Sequence, residues 1–379
     1  MDFSQLTESQ EAVQKLAEEF ARKEILPHVE KIEKAAEYPT AIYRKAIEAG
    51  LMLLPVPEAY GGPGLGYLDF VMVAEKLAWA CPAVAGAMNL NTMIADVLLV
   101  GGSEEQKKKY IGRLVKGEVG CYGLSEPGAG SDVAGISASA VKRGDRWVIS
   151  GTKTWISNST VGSFFIIFAK TDPGAGHRGI TAFLVERDTP GLKVGNPLGK
   201  LGQKAFPACE VFLENVEVPD SQRLGGEGTG FFMAMKVFDR SRPMVAALGV
   251  GLSQRCVDES VKYARTRESK GKPIIAHQLV AAKIAEMAMR TEAARLLTHK
   301  SACLLDHGIP NTAAASMAKA FAADTAVFCS GEAVQVHGGM GYSPEYPVEK
   351  LYRDAKGLQI YEGTNEIQRL IIARELAGR

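Results

Sequence analysis

The residue most able to do chemistry is Glu362, in the run Ile360-Tyr361-Glu362-Gly363-Thr364-Asn365-Glu366. A carboxylate with isoleucine, tyrosine and glycine for neighbours loses solvation. Its pKa then rises, and it becomes a base able to accept a proton near neutrality. The alternative is a solvated glutamate at a helix start. Thr364 has the chemistry of an N-cap for a helix running to Leu376, whose free N–H groups and positive dipole end suit a phosphate. In Lys153-Thr154-Trp155-Ile156-Ser157-Asn158, Trp155 and Ser157 sit two positions apart. On a strand they share one face, where an indole could stack on a flat ring while a hydroxyl bonds its edge; the competing role for Trp155 is core packing.

Two glycine-rich segments accompany these. Gly123–Gly135 combines small residues, which let a backbone approach a ligand closely, with the hydroxyls of Ser125 and Ser131. Its Gly128-x-Gly130 lacks the third glycine and the βαβ surroundings of a dinucleotide fingerprint, so a tight loop between two domains is the other role. Gln335-Val336-His337-Gly338-Gly339-Met340-Gly341-Tyr342 has the look of a helix end opened for close contact. The six histidines and six cysteines show no metal-ligand spacing, no C-x-x-C pair and no nucleophile motif, so no metal site is expected.

The elements that must carry these residues fall into three zones. Helical spacing dominates residues 1–120: Thr7 and Gln10 form a capping-box start, and apolar helices cover Leu68–Ala80 and Val84–Val100. Residues 121–225 change period, with a hairpin turn at Arg143-Gly144-Asp145 and β-rich runs at Phe164–Ala169 and Ile180–Val185, which predicts an antiparallel barrel or sandwich. Residues 226–379 are helical again, with Pro243 marking a kink or a fresh start. The fold class is α+β, predominantly α.

Among 379 residues, 44 Lys and Arg stand against 43 Asp and Glu, which argues against nucleic acid or an anionic membrane as principal partner. The best membrane candidate, Ala85–Val100, is interrupted by Asn89, Asn91 and Asp96. The opening residues lack a signal-peptide pattern and the scattered cysteines suit a reducing compartment. The expected location is cytoplasmic, or the mitochondrial matrix for a mature form.

Gly123–Gly135 together with Gln335-x-x-Gly338-Gly339-x-Gly341-Tyr342, followed by Glu345, Lys350 and Asp354, resembles the acyl-CoA dehydrogenase family, over essentially the full length. The resemblance implies a C-terminal four-helix bundle and FAD lodged between it and the β domain. It further implies that Tyr122, Leu124, Ser125, Gly130 and Ser131 form the flavin and thioester loop, with Ser131 also near CoA. Trp155 and Ser157 would pack on the isoalloxazine and reach its N5 edge. Arg267, Ser269, Gln278, Gln335, Gly338 and Gly339 would hold FAD from a neighbouring subunit of a tetramer, a dimer of dimers, with Thr364 and Glu366 as adjacent cofactor contacts. Asp239, Arg242 and Gly363 would serve the acyl-CoA side. Lys270 departs from the aromatic often found there.

By the same resemblance, Glu362 removes the α-proton of an acyl-CoA thioester, the β-hydride passes to flavin N5, a trans-2-enoyl-CoA forms, and electrons go to an electron-transfer flavoprotein. Relatives with the base on the CoA-side helix would place it at Ser241, which disfavours that arrangement here. No Lys, Arg or His lies between Lys76 and Lys107 to pair a distal carboxylate. Asn89, Asn91 and Thr92 suit a short, branched or alicyclic acyl group. The competing functions are an enoyl-CoA reductase running the reaction in reverse, an oxidase, and an inactive flavoprotein or interaction module; the intact Glu362, Trp155 and Ser157 argue against the last.

Overall fold

The computed structural model describes residues 6–378. Six helices come first: α1 (Glu8–Phe20), α2 (Val29–Ala35), α3 (Thr40–Glu48), α4 (Tyr67–Ala80), α5 (Pro82–Gly101) and α6 (Glu104–Val115). The predicted cap opens α1: Thr7 Oγ1 accepts from the Gln10 N–H at 3.2 Å, and Gln10 Oε1 accepts from the Thr7 N–H at 3.1 Å. Helix α5 is long and apolar enough to span a bilayer by length and composition, despite its three polar interruptions. This corrects the sequence expectation. Almost all of it is buried in the protein against α4, α6 and α7, and core position is the physical reason for its apolarity.

Eight strands follow: β1 (Gly120–Gly123), β2 (Ser139–Arg143), β3 (Arg146–Ser157), β4 (Phe164–Lys170), β5 (Ile180–Glu186), β6 (Leu192–Pro197), β7 (Ala208–Pro219) and β8 (Arg223–Leu224). They form one sheet in the order β6-β7-β3-β2-β4-β5-β8, with β1 added on β4. Most pairs are antiparallel, but β1 runs parallel to β4, Gly120 opposite Phe164 through Gly123 opposite Ile167. The sheet is therefore mixed rather than purely antiparallel. A parallel pair needs a long crossover, which the Leu124–Ala138 loop and the β2–β3 hairpin supply.

The C-terminal part holds α7 (Gly230–Thr266), a small hairpin of β9 (Glu268–Ser269) and β10 (Lys272–Pro273), then α8 (Gln278–Asp306), α9 (Thr312–His337), α10 (Val348–Leu358) and α11 (Asn365–Leu376). Pro243 does not start a new helix; α7 runs through it. A proline here leaves the Asp239 carbonyl without its helical donor. Asn311 Nδ2 donates to that oxygen at 2.8 Å instead, which repairs the ladder from outside the helix. Lys270 (φ +53°) and Gly271 (φ +75°) are the two turn residues of the β9–β10 hairpin. The departure at Lys270 thus falls at a left-handed turn position.

Candidate active site

Glu362 lies between the end of α10 and the N-cap of α11, with φ +53°. A non-glycine residue in this region is strained, and such strain gathers at functional sites. Gly363 follows at φ +88°, where an added Cβ would stand 2.7 Å from Gln368 Nε2. Tertiary contacts hold the turn open: Lys319 Nζ of α9, fully buried, donates to the Gly363 carbonyl at 2.7 Å and to Asn365 Oδ1 at 3.1 Å. Gln368 Nε2 donates to the carbonyls of Glu362 and Gly363 at 3.1 and 3.0 Å. Thr364 caps α11 by accepting from the Ile367 N–H.

The Glu362 carboxylate points to α7, where Ser241 Oγ donates to its Oε2 at 2.5 Å. Burial raises the Glu362 pKa above 4.5; the Ser241 bond and the charges of Arg242 and Lys319 offset part of the rise. Burial likewise pushes Lys319 down to about 8. Arg242 is 4% exposed and paired with Asp239 at 3.4 Å, and Asp239 also accepts from Thr312 Oγ1 at 2.6 Å. The Tyr122 phenol is pushed well up by burial and then by the Glu362 charge, and it has no partner among the described residues.

In the β domain, β3 carries a bulge: Lys153 faces Val211 and Ile156 faces Cys209, so Thr154 and Trp155 oppose a single residue of β7. The bulge turns Trp155 to φ +58° and leaves its indole 56% exposed, so it is not core. Ile156 between them is buried while Ser157 is partly exposed, in keeping with a shared outer face for Trp155 and Ser157. The glycine-rich loop is fastened beside them. The Thr154 N–H donates to the Ser125 carbonyl at 2.9 Å and Lys153 Nζ to that of Leu124 at 3.2 Å. Glu126 accepts at 2.6–3.0 Å from the Ser137 N–H and hydroxyl, the Ala138 N–H and Lys153 Nζ. Burial alone would raise the Glu126 pKa, but these donors hold it below its ordinary value, while burial pushes Lys153 down to about 8. At Gly128 and Gly130 an added Cβ would meet nothing within 4 Å, so this open cradle is not demanded by the chain's own packing.

Arg267, Ser269, Gln278, Gln335, Gly338 and Gly339 lie elsewhere, exposed near a small apolar cluster of Ala264, Ile284 and Val336. Twenty-five residues of α7 separate Arg242 from Arg267, about 37 Å of helix. Within one chain this end does not join Glu362 and Trp155. Glu366 is exposed in the first turn of α11, beside Thr364. Lys350 and Asp354 of the second signature form a buried ion pair, and Asp354 accepts from the Gln203 N–H, so they tie α10 to the β domain. Lys319 and the Glu126–Lys153 pair escape a reading of motifs because their partners are distant in the chain, while Gln368 reaches back five and six positions across a turn that no motif marks. The only signal was a lysine inside an alanine-rich helix.

Three family models match in succession: the acyl-CoA dehydrogenase N-terminal domain over residues 7–118, the middle domain over 121–216 and the C-terminal domain over 228–377. Such a three-part match defines an oxidoreductase class whose members bind FAD. The chain belongs to the acyl-CoA dehydrogenase family. It is 40% identical over 374 residues to the mitochondrial short-chain specific acyl-CoA dehydrogenase of Mus musculus, covering 98% of this chain and 91% of that one. Among solved structures it is similar to butyryl-CoA dehydrogenase from Megasphaera elsdenii, with TM-score 0.97, 37% identity and full coverage of both chains. It is also similar to an FAD complex of PigA, with TM-score 0.95, 31% identity, and coverage of 100% of this chain and 99% of that one.

Replacing Lys319 with Met should shift the acidic limb of the pH–rate profile upward. Losing the cation removes an influence that lowers the Glu362 pKa, so the carboxylate stays protonated to higher pH. Lys319→Arg, which keeps the charge, should leave the limb in place. A shift shared by both variants would mean a purely structural role.

Proposed function

We propose that this chain binds FAD and dehydrogenates a short acyl-CoA thioester between its α and β carbons, with Glu362 as the base. The observation that carries this is Glu362 itself: a desolvated carboxylate bonded by Ser241, on a strained turn whose backbone carbonyls are held by Lys319 and Gln368, near the buried phenol of Tyr122. FAD fits the residues present, because Trp155 offers an exposed aromatic face and Gly128 and Gly130 line an open cradle beside it. Tyr122, Leu124, Ser125, Gly130, Ser131, Trp155, Ser157, Thr364 and Glu366 would hold FAD from this chain. Arg267, Ser269, Gln278, Gln335, Gly338 and Gly339 would hold it from a second copy, and their distance along α7 supports that division. Bound FAD would supply the two-electron acceptor for the β-hydride.

Glu362 takes the α-proton onto its carboxylate. Its backbone N–H has no backbone acceptor among the described residues and could bond the thioester carbonyl; a donor placed there is worth roughly 3–4 kcal/mol to the developing enolate. Ser241 orients the carboxylate, and Arg242, Asp239 and Gly363 shape the acyl-CoA side. Electron-transfer flavoprotein as acceptor and a homotetramer of two dimers complete the proposal. The named short-chain relatives support a short acyl group. The test is the visible spectrum of the purified protein. A yellow protein bleached anaerobically by butyryl-CoA and reoxidised by electron-transfer flavoprotein is expected; a colourless protein, or one bleached by no acyl-CoA, would overturn it.

A further inference from the structure

Four residues of α5, Ala85, Asn89, Thr92 and Asp96, share one stripe of the helix. Three are polar and buried, with Asn89 at 1%, Thr92 at 2% and Asp96 at 2% exposure. Asp96 is satisfied: it accepts from Tyr67 Oη and pairs with Arg240 of α7 at 3.2 Å. Asn89 and Thr92 are not. Neither the amide nitrogen nor the amide oxygen of Asn89, nor Thr92 Oγ1, has a hydrogen-bond partner among the described residues. Asn91 shows the contrast, since it bonds Tyr43 Oη at 2.7 Å and the Gly120 N–H at 3.0 Å. Leaving buried amide and hydroxyl groups unpaired is costly, so they mark a place where something else bonds them.

That place is bracketed by contacts to the immediate neighbours of Glu362. Below Asn89, a Cβ at Gly86 would stand 3.1 Å from Phe206, whose ring lies 6.5 Å from that of Tyr361. Above Thr92, Asp96 meets Arg240, and the next residue, Ser241, bonds Glu362. Asn89 and Thr92 therefore stand along the acyl side of the base. A purely hydrocarbon acyl chain would leave all three atoms unpaired. A carboxylate would lack a counter-ion, because among the described residues the cation that pairs with this stripe is Arg240, already neutralised by Asp96. An amide and a hydroxyl each donate and accept, and their complement is a neutral group that does both.

We propose that the acyl group this chain is built for carries a hydroxyl on its tail, bonded by Asn89 and Thr92. The proposal rests on the dehydrogenase function above and deepens it. The hydroxyl takes no part in the reaction: the α-proton goes to Glu362, the β-hydride to the bound acceptor, and the product is a hydroxy-2-enoyl-CoA.

The FAD-loaded enzyme is assayed with pairs of equal size, 4-hydroxybutyryl-CoA against pentanoyl-CoA and 5-hydroxypentanoyl-CoA against hexanoyl-CoA, with glutaryl-CoA alongside. A hydroxyacyl member is expected to exceed its alkyl partner at least about tenfold in kcat/KM, the discrimination typical of a site that bonds a hydroxyl. Asn89→Leu, which keeps the volume, should reverse the preference without lowering thermal stability. Bleaching by alkyl and hydroxyacyl thioesters alike, a preference for glutaryl-CoA, or a hydroxyl preference unchanged in Asn89→Leu would each overturn the inference and leave the dehydrogenase function standing. Bleaching by none of them would overturn that function itself, and the inference with it.

Discussion

Glu362→Gln is expected to yield a folded, yellow protein whose reductive half-reaction with acyl-CoA is slowed on the order of 10²- to 10⁴-fold, the range for loss of a positioned base. The glutamine amide can still accept from Ser241 Oγ, and the Gln368 and Lys319 bonds go to backbone atoms, so the turn survives. The effect should therefore lie in kcat rather than in FAD content. A second signature follows from linkage. The folded-state pKa of Glu362 is raised above its ordinary 4.5, so the stability it contributes is complete below 4.5 and is lost as pH rises through the raised value. The variant lacks this titration, and its stability relative to wild type should increase over that window. Chemical denaturation from pH 4 to 8 measures it. Retained turnover would remove Glu362 from its role as base.

Lys153→Met is expected to cost about 3–5 kcal/mol, the price of leaving one member of a buried ion pair alone. Lys153 is fully buried and 2.7 Å from Glu126, whose other donors come from Ser137 and Ala138. Without the lysine, an anion would sit under the glycine-rich loop, and the Leu124 carbonyl would lose its donor as well. FAD content should fall together with stability, since the same contacts fasten Ser125 beside Trp155. Glu126→Gln added to Lys153→Met removes the stranded charge and should recover part of the loss. The double variant proving as unstable as the sum of its parts would mean that the two side chains act independently.

What was legible in the sequence was mostly local. The Thr7–Gln10 box, the Thr364 cap, the Arg143–Asp145 hairpin turn and the Gly338 helix end each depend on residues within a few positions of one another, where propensity and side-chain reach suffice. The candidate base could also be named from local sequence, because Glu362 stands directly beside the apolar Ile360-Tyr361 pair. The exposure of Trp155 could not. Strand periodicity gives the face but cannot locate a bulge, which arises from pairing with β7 some fifty residues later. The parallel β1–β4 pair was hidden for the same reason: β1 is four residues long, and its partner is chosen by where α6 delivers the chain.

The sequence by itself determined the family and the α–β–α order, and it singled out the glutamate proposed to take the proton. Only the tertiary structure decided how that residue is tuned. Ser241 lies 121 positions from Glu362, Lys319 44 positions from Gly363 and Asn311 72 positions from Asp239. A hydrogen bond between such positions follows from helix packing, which no local pattern encodes. The same holds for the proposed acyl pocket. Asn89, Asn91 and Thr92 read alike as polar interruptions of an apolar helix, yet the fold spends Asn91 on Tyr43 and Gly120 and leaves Asn89 and Thr92 unpaired. Arg240, absent from any reading of α5 alone, arrives from α7 and is cancelled by Asp96. Charge and hydrogen-bond capacity in a buried site are set by what packs against it, and that is a property of three dimensions.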